Sequence, residues 1–310
     1  MKNALILLLA SILFTGFWSC TSEQQKRQSA IATLEAEAEG DTDASTAKIL
    51  IEAYEDYTTA YPDDDTFTPR YLYREAGLQY RQGDFSKAAE LLKGLLKNHG
   101  GSEVTPQAML MLGDVYNAEL KQPKAGQMAL QALTLRFPES ASAKTAAGQL
   151  GDTMIALEDE LEALRMSIYD DSLARIDFRK ADLYIQQSEL YSLLLPDAES
   201  TPVILFRAGE IARSARNYEK ALDLYDKLCK VYPEYEKAPQ ALFMQAFILD
   251  NDLKRFDEAG QLYQSFIDQY PDDDFASSAQ VLLENLGKDE EEIIRNLNSK
   301  AATQPANTNQ

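Results

Sequence analysis

Five prolines divide the chain at nearly regular intervals, and this spacing constrains the fold more than any other feature. Each follows an aromatic residue or leucine, and the set is Pro62, Pro138, Pro196, Pro233 and Pro271. The intervals between the last three are 37 and 38, and the interval between the first two is 76, which is twice 38. The period predicts a missing member near His99 and Gly100, where glycine can end a helix instead of proline. A fixed period of this size indicates a repeat architecture.

Each period contains two stretches of helical periodicity separated by a short turn. A small residue lies in the first stretch, as at Gly77 and Gly209, and an alanine lies near the start of the second, as at Ala88 and Ala221. Small side chains let the two helices of a hairpin approach closely, while larger apolar residues fill the space between neighbouring hairpins. The pattern therefore predicts helical hairpins stacked one on the next.

These residues resemble the tetratricopeptide repeat, which has a small residue in its first helix, an alanine in its second, an aromatic residue four positions later and a closing proline. The best copies are Gly209, Ala221, Tyr225 and Pro233, followed by Ala246, Ala259, Tyr263 and Pro271. Weaker copies contain Gly77 and Gly113. The resemblance implies an all-α fold, an α-solenoid of hairpins like those of the tetratricopeptide repeat.

The chain also contains a longer duplication, of which each copy includes several of the short repeats. Tyr57 matches Tyr191 at an offset of 134, and Gly77 matches Gly209 at an offset of 132. The offsets predict two duplicated halves, each with one leading helix and two repeats, joined by a helix. The predicted organisation is a signal peptide at 1–19, a polar tether at 20–43, a first half at 44–140, connecting helices at 141–176, a second half at 177–286, and an acidic helix with a disordered tail at 287–310.

The first twenty residues have the order of a secretory signal, with Lys2 ahead of an apolar stretch from Ala4 to Trp18. That stretch is shorter than the roughly 20 residues that span a bilayer. Ser19 and Cys20 follow it, and this order resembles the lipobox of bacterial lipoproteins. The resemblance implies a lipid anchor on Cys20 and an outer-membrane location, on the periplasmic side rather than the cell surface. An ordinary secretory signal with an incidental cysteine is the alternative.

Composition argues against an enzyme, a metal site and a nucleic-acid partner. The formal charge is −20, so the surface lacks the basic patch that nucleic acid requires. His99 is the single histidine and Cys229 the only cysteine besides Cys20, so the usual zinc sites have no ligands. The stretch YPDDD occurs at 61–65 and 270–274, and it indicates the end of one helix and the start of the next rather than a calcium loop. No cofactor is expected.

The resemblance to tetratricopeptide repeats also implies a place for a partner. In that family the ligand-contacting positions lie on the first helices, which line a concave groove. On this chain the positions are Tyr71, Arg74, Arg81, Gln107, Asp114, Asn117, Phe206, Glu210, Arg213, Gln240, Phe243, Phe247, Asp250 and Asn251. Aromatic rings alternating with amide and charged groups suit an extended peptide. Phe243 and Phe247 have a second interpretation, in which they pack against the next helix.

These features favour a noncatalytic interaction scaffold in the bacterial cell envelope, with other envelope proteins or extended peptides as partners. The chain is similar to the repeat lipoprotein of the barrel-assembly machine and to the repeat domain of the Tol-Pal cell-division coordinator, which implies a role in outer-membrane protein assembly. Neither of these proteins has two halves joined by a helix, so the chain departs from the pattern of both. The alternative is a ligand- or glycan-binding lipoprotein of a nutrient-uptake complex, although that class usually has tryptophan-rich loops and Trp18 is the only Trp here. The sequence indicates no oligomeric state.

Overall fold

The structure is a computed structural model that describes residues 22–38, 44–151, 154, 156–170, 175–288, 291, 292 and 295. The predicted signal peptide, Cys20 and nearly all of the predicted tail lie outside the described residues. Within the described part of the chain, no helix combines the length and the apolarity that crossing a bilayer requires.

The described elements are helices, except for one short pair of strands, and they confirm the predicted all-α fold class. The helices are α1 (Glu23–Glu37), α2 (Ala44–Ala60), α3 (Thr68–Gln82), α4 (Phe85–His99), α5 (Thr105–Asp114), α6 (Pro123–Arg136), α7 (Ala141–Leu150), α8 (Leu157–Met166), α9 (Phe178–Leu194), α10 (Ser200–Ser214), α11 (Tyr218–Val231), α12 (Ala238–Phe247), α13 (Phe256–Gln269) and α14 (Ala276–Glu284). Antiparallel strands β1 (Tyr169–Asp170) and β2 (Arg175–Ile176) lie between α8 and α9.

The chain divides into two compact units, Met1–Leu91 and Leu92–Gln310. In the first unit α1 packs on α2 and α2 on α3 around a core that includes Ile31, Tyr54, Tyr57 and Tyr71. In the second unit successive helices pack on one another from α5 to α7 and from α8 to α14, and α6 also contacts α9. Large side chains between neighbouring helices are therefore the main source of stability in each unit.

The turns inside the hairpins repeat with the predicted duplication. Gly83, Lys121, Arg216 and Lys254 all have positive φ, at 84°, 54°, 61° and 58°. Gly83 and Arg216 are related by an offset of 133, and the same offset relates Lys121 to Lys254. A left-handed conformation costs a residue with a side chain roughly 1–2 kcal/mol, so the turn geometry must be imposed by the packing of the helices on either side.

Two π-helical segments repeat in the same way. They follow α5 and α12, at Val115–Glu119 and Ile248–Asp252, and the same offset of 133 relates their first residues. A π-helical turn holds an extra residue, which rotates the side chains that follow it about the helix axis. The duplication therefore extends to local irregularities that hydrophobic periodicity does not reveal.

The structure differs from the prediction at the start of each half. The predicted polar tether contains α1, which begins with a capping box between Ser22 and Gln25 and buries Ile31. The predicted joint contains α8, which packs on α9 as α1 packs on α2. Each half thus has seven described helices, α1–α7 and α8–α14, where one leading helix and two repeats were expected. The apolar stripe of α1 is too short to stand out in sequence, whereas α8 lies where the sequence predicts a helix that joins the two halves.

One predicted match is also shifted by a residue. Ala76, not Gly77, takes the place of Gly209, because Ala76 is fully buried and Gly77 is only half-buried. This gives an offset of 133, the same as that from Pro69 to Pro202. At Gly209 an added Cβ would lie 2.6 Å from the Cε1 atom of a buried tyrosine, so the small residue is needed for close packing.

Candidate functional site

In the second half, α10, α12 and the π-helical segment after α12 carry polar and aromatic side chains at predicted groove positions. Arg213 on α10 donates from Nε to the Asp252 carboxylate at 3.1 Å, and its guanidinium lies 4.9 Å from the centre of the Phe247 ring. Glu210 is exposed one helical turn before Arg213. We call the surface formed by Glu210, Arg213, Gln240, Phe247 and Asn251 the α10–α12 face.

Two of the predicted groove rings belong to the core instead. Phe206 is 2 % exposed and Phe243 is 7 % exposed. The Phe243 ring lies 4.9 Å from that of Phe275 and 5.7 Å from that of Phe266, measured between ring centres. Packing against the following helices is therefore the correct interpretation for Phe243. Phe247 is half-buried, with Phe243 on one side and Arg213 on the other, so of these three phenylalanines only Phe247 is partly exposed.

The π-helical segments turn two more predicted residues away from the groove. Asp250 accepts a hydrogen bond from the Tyr263 hydroxyl of α13 at 3.4 Å, and burial raises the pKa of its carboxyl. Asn117 packs so closely on α6 that a Cβ added to Gly126 would overlap its amide. Both predictions count residues at regular α-helical spacing, which the extra residue of a π-helical turn shifts.

The predicted positions of the first half are divided between core and surface. Tyr71 is buried, with its ring stacked 5.3 Å from that of Tyr54. The one-residue shift at Ala76 explains this burial, because it moves each assigned position of α3 by about 100° around the helix. Arg74 forms an ion pair with Glu35 of α1, and Arg81 is exposed.

The predicted positions on α5 lie in the second unit. Gln107 is exposed, and Asp114 accepts a hydrogen bond from the Gln149 amide of α7 at 3.0 Å. Asp114 is thereby connected to α7, the first helix of the next hairpin. Arg213 of α10 is connected in the same way to Phe247 of α12.

Ion pairs between neighbouring first helices are duplicated as well. Arg74 pairs with Glu35, and Arg207, the equivalent of Arg74 in the second half, pairs with Glu162 of α8 at 3.0 Å. The prediction did not include Arg207, Glu162 or Asp252, although the offset from Arg74 could have found the first. Exposed ion pairs contribute only about 0.2–1 kcal/mol, so these two pairs add little to the stability of the fold.

The YPDDD stretches act at helix ends, as the sequence predicts. Asp64 accepts hydrogen bonds from the backbone N–H groups of Thr66 and Phe67 at 2.9 and 3.0 Å, and from the Tyr57 hydroxyl at 2.5 Å. Burial alone would raise the pKa of Asp64, but these donors hold it below its ordinary value. In the second stretch Asp273 accepts from the N–H of Phe275. Across the described residues, no three His, Cys, Asp or Glu side chains are arranged to hold a metal ion.

Comparison with known proteins supports the repeat. Tetratricopeptide repeat models match residues 73–132, 204–235 and 240–273. Among solved structures, the TPR2AB-domain:pHSP90 complex of yeast Sti1 is similar at 15 % identity, with 89 % of this chain and 100 % of that chain covered and a TM-score of 0.31. No curated protein matches the chain. Tetratricopeptide repeats imply a protein–protein interaction scaffold and are generally noncatalytic, and models of this repeat match segments in both halves of the chain.

Proposed function

We propose that this protein is a noncatalytic scaffold of the bacterial cell envelope that binds an extended segment of a partner protein on the α10–α12 face. The observation that carries the proposal is the half-buried ring of Phe247, held between Phe243 and the Arg213 guanidinium. Aromatic residues and arginine dominate the binding energy of protein interfaces, especially where they are already fixed in position. The core contacts of Phe247 reduce the conformational entropy that binding would cost.

The polar residues around Phe247 suit the backbone of an extended peptide. Asn251 donates from its side-chain amide to the Phe247 carbonyl oxygen at 3.4 Å, and Gln240 lies two helical turns before Phe247; both side chains provide amide donors and acceptors. Glu210 and Arg213 provide one charge of each sign, which selects partners by the order of their charges. A partner segment with an apolar side chain for the Phe247 ring and opposite charges on either side would complement this surface.

The test is affinity capture from crosslinked envelopes, with the captured proteins identified by mass spectrometry. The test variant is Phe247→Ala with Glu210→Lys, because these changes leave the contacts of Phe243 with Phe266 and Phe275 in place. Val231→Ala is the matched control, since Val231 is 55 % exposed at the end of α11. We expect the test variant to lose partners that the wild type and the control retain. Identical partner sets for all three proteins would exclude the α10–α12 face.

Within this proposal, Cys20 carries the lipid that holds the protein at the periplasmic side of the outer membrane. The support is the order of the first twenty residues, in which a cation, an apolar stretch and a serine precede the cysteine. Two or three acyl chains are enough for stable anchoring. Cys20→Ser should abolish incorporation of labelled fatty acid and release the protein from the membrane fraction. Labelling that persists in this variant would refute the anchor.

A role in outer-membrane protein assembly rests on resemblance to repeat lipoproteins. It predicts barrel-assembly components among the partners lost with Phe247, and their absence would redirect the search to other envelope pathways. The alternative of a glycan-binding protein has no specific support, because Phe206 and Phe243 are core residues and leave no platform of stacked rings on the α10–α12 face.

A further inference from the structure

Glu75 of α3 is a buried carboxylic acid without a hydrogen-bond partner. Its side chain is 0 % exposed, and neither carboxylate oxygen is bonded to any described group. An unpaired buried charge is costly, and such groups in native structures call for an explanation. The equivalent residue of the second half, at an offset of 133, is Ala208, which is also fully buried. The repeat fold therefore does not need a carboxylate at this place.

Glu75 lines a pocket of about 500 Å³ on the first unit. The end of α2, the middle of α3 and the start of α4 surround it. Glu55 and Asp56 add two carboxylates to its wall, and Leu72 and Leu91 add apolar surface. Lys87 is the one cation in its lining.

The same place in the second half has an ion pair and no buried carboxylate. There Lys220, equivalent to Lys87, forms an ion pair with Glu189 at 2.9 Å, and Glu189 is equivalent to Glu55. In the first half Lys87 lies 3.8 Å from Glu90 instead. The first half thus has two more carboxylates than its duplicate, because Leu190 and Ala208 are the equivalents of Asp56 and Glu75, and its lysine is directed to a residue outside the pocket. The negative potential over Glu55 and Glu75 remains for a cation from another molecule.

We propose that this pocket binds the guanidinium group of an arginine side chain of a partner protein, with Glu75 as the acceptor. Two unbonded oxygens on one carboxylate match the paired N–H groups of a guanidinium. The apolar surface of Leu72 and Leu91 suits the aliphatic part of the arginine side chain. A calcium ion would need six to eight oxygen ligands, whereas this pocket converges on one buried carboxylate.

Entry of the guanidinium requires a change of side-chain rotamers at the pocket rim, because both Glu75 oxygens are shielded from solvent. Leu72, Lys87 and Leu91 are each half-buried, and rotamer changes of such residues are fast. Burial, and then the charge of Glu55, raise the pKa of Glu75 to about 7, while Lys87 opposes this shift and Glu90 adds to it. A bound guanidinium favours the ionised form, so binding should strengthen between about pH 6 and pH 8.

The test is calorimetric titration of the full protein at pH 8. The probes are the acetylated and amidated peptide Gly-Gly-Arg-Gly-Gly and its citrulline counterpart, which has the same shape but no charge. We expect the arginine peptide to bind at least tenfold more tightly than the citrulline peptide. Glu75→Gln and Glu75→Ala should both remove this difference. Alanine is compatible with the fold at this place, because Ala208 is the equivalent residue of the second half. Glu52→Gln, on the exposed surface of α2, is the control and should keep it.

Three results would overturn the proposal. Equal binding of the arginine and citrulline peptides would exclude charge recognition, and equal binding by wild type and Glu75→Ala would exclude Glu75. Free arginine that binds more tightly than the peptide would exclude a protein source, because it would show that the site also recognises the free α-ammonium or α-carboxylate group. Far-ultraviolet circular dichroism of each variant shows whether its fold is intact. If one substitution at position 75 disrupts the fold, the other still tests the role of Glu75.

Discussion

Glu75 should make the stability of this protein depend on pH in an unusual direction. Burial, and then the charge of Glu55, raise its pKa from an ordinary value of 4.5 to about 7. The folded state therefore holds the Glu75 proton more tightly than the unfolded state does. The stabilising effect of this proton is fully present below about pH 4.5, declines as the pH rises, and is lost above about pH 7.

The magnitude follows from the difference between the two pKa values. A shift from 4.5 to about 7 corresponds to about 3 kcal/mol, since one pKa unit is about 1.4 kcal/mol. Glu75→Gln removes the ionisation and keeps the shape of the side chain. Its buried amide adds a cost that is the same at every pH, so the informative quantity is how the difference from wild type changes with pH.

The assay is urea unfolding of wild type and Glu75→Gln between pH 4.5 and pH 8.5, followed by far-ultraviolet circular dichroism. We expect the free energy of unfolding of the variant to rise relative to wild type by as much as about 3 kcal/mol across this range, and then to level off. Other titrating groups are common to both proteins and cancel in the difference. A difference that does not change with pH would refute the assignment of a raised pKa to Glu75.

Two further predictions concern packing. Gly209→Ala should destabilise the protein by about 1–3 kcal/mol, because the added methyl group would lie 2.6 Å from Tyr225 Cε1. Gly94→Ala, where nothing lies within 4 Å of the added atom, should instead stabilise it by roughly 0.5–1 kcal/mol. Thermal unfolding of both variants checks the contrast, and equal effects would contradict the close approach at Gly209. Phe243→Ala should cost about 3–5 kcal/mol, and Phe247→Ala clearly less, in urea unfolding. Similar losses would contradict the assignment of Phe243 to the core and Phe247 to the surface.

The repeat and the fold class could be predicted because they depend on strong local signals. Proline after an aromatic residue ends a helix wherever it occurs, and small residues at fixed spacing mark helices that pack closely. The duplication was visible for the same reason. The helix α1 could not be predicted, because it buries Ile31 and little else. The helix α8 lies within the predicted joint, but its place as the first helix of the second half, packed on α9, was not predicted. Such helices are stabilised by the neighbours on which they pack.

The candidate site was harder to predict than the fold. A shift of one residue at Ala76 was enough to move Tyr71 from the assigned surface to the core. The π-helical segments had a similar effect on Asn117 and Asp250, because no sequence signal marks the extra residue in the turn. Glu75 carried no signal at all, since an acidic residue on a helix is usually exposed and its burial depends on contacts with α2 and α4.

The most direct test of the proposed scaffold function is photo-crosslinking from single positions in living cells. A photoreactive amino acid at Glu210 lies on the α10–α12 face, and one at Val231 lies on an exposed part of α11. We expect a discrete adduct with a partner protein from position 210 that is lost with Phe247→Ala, and none of the same mass from position 231. The same adduct from both positions, or an adduct from position 231 alone, would contradict partner binding on the α10–α12 face.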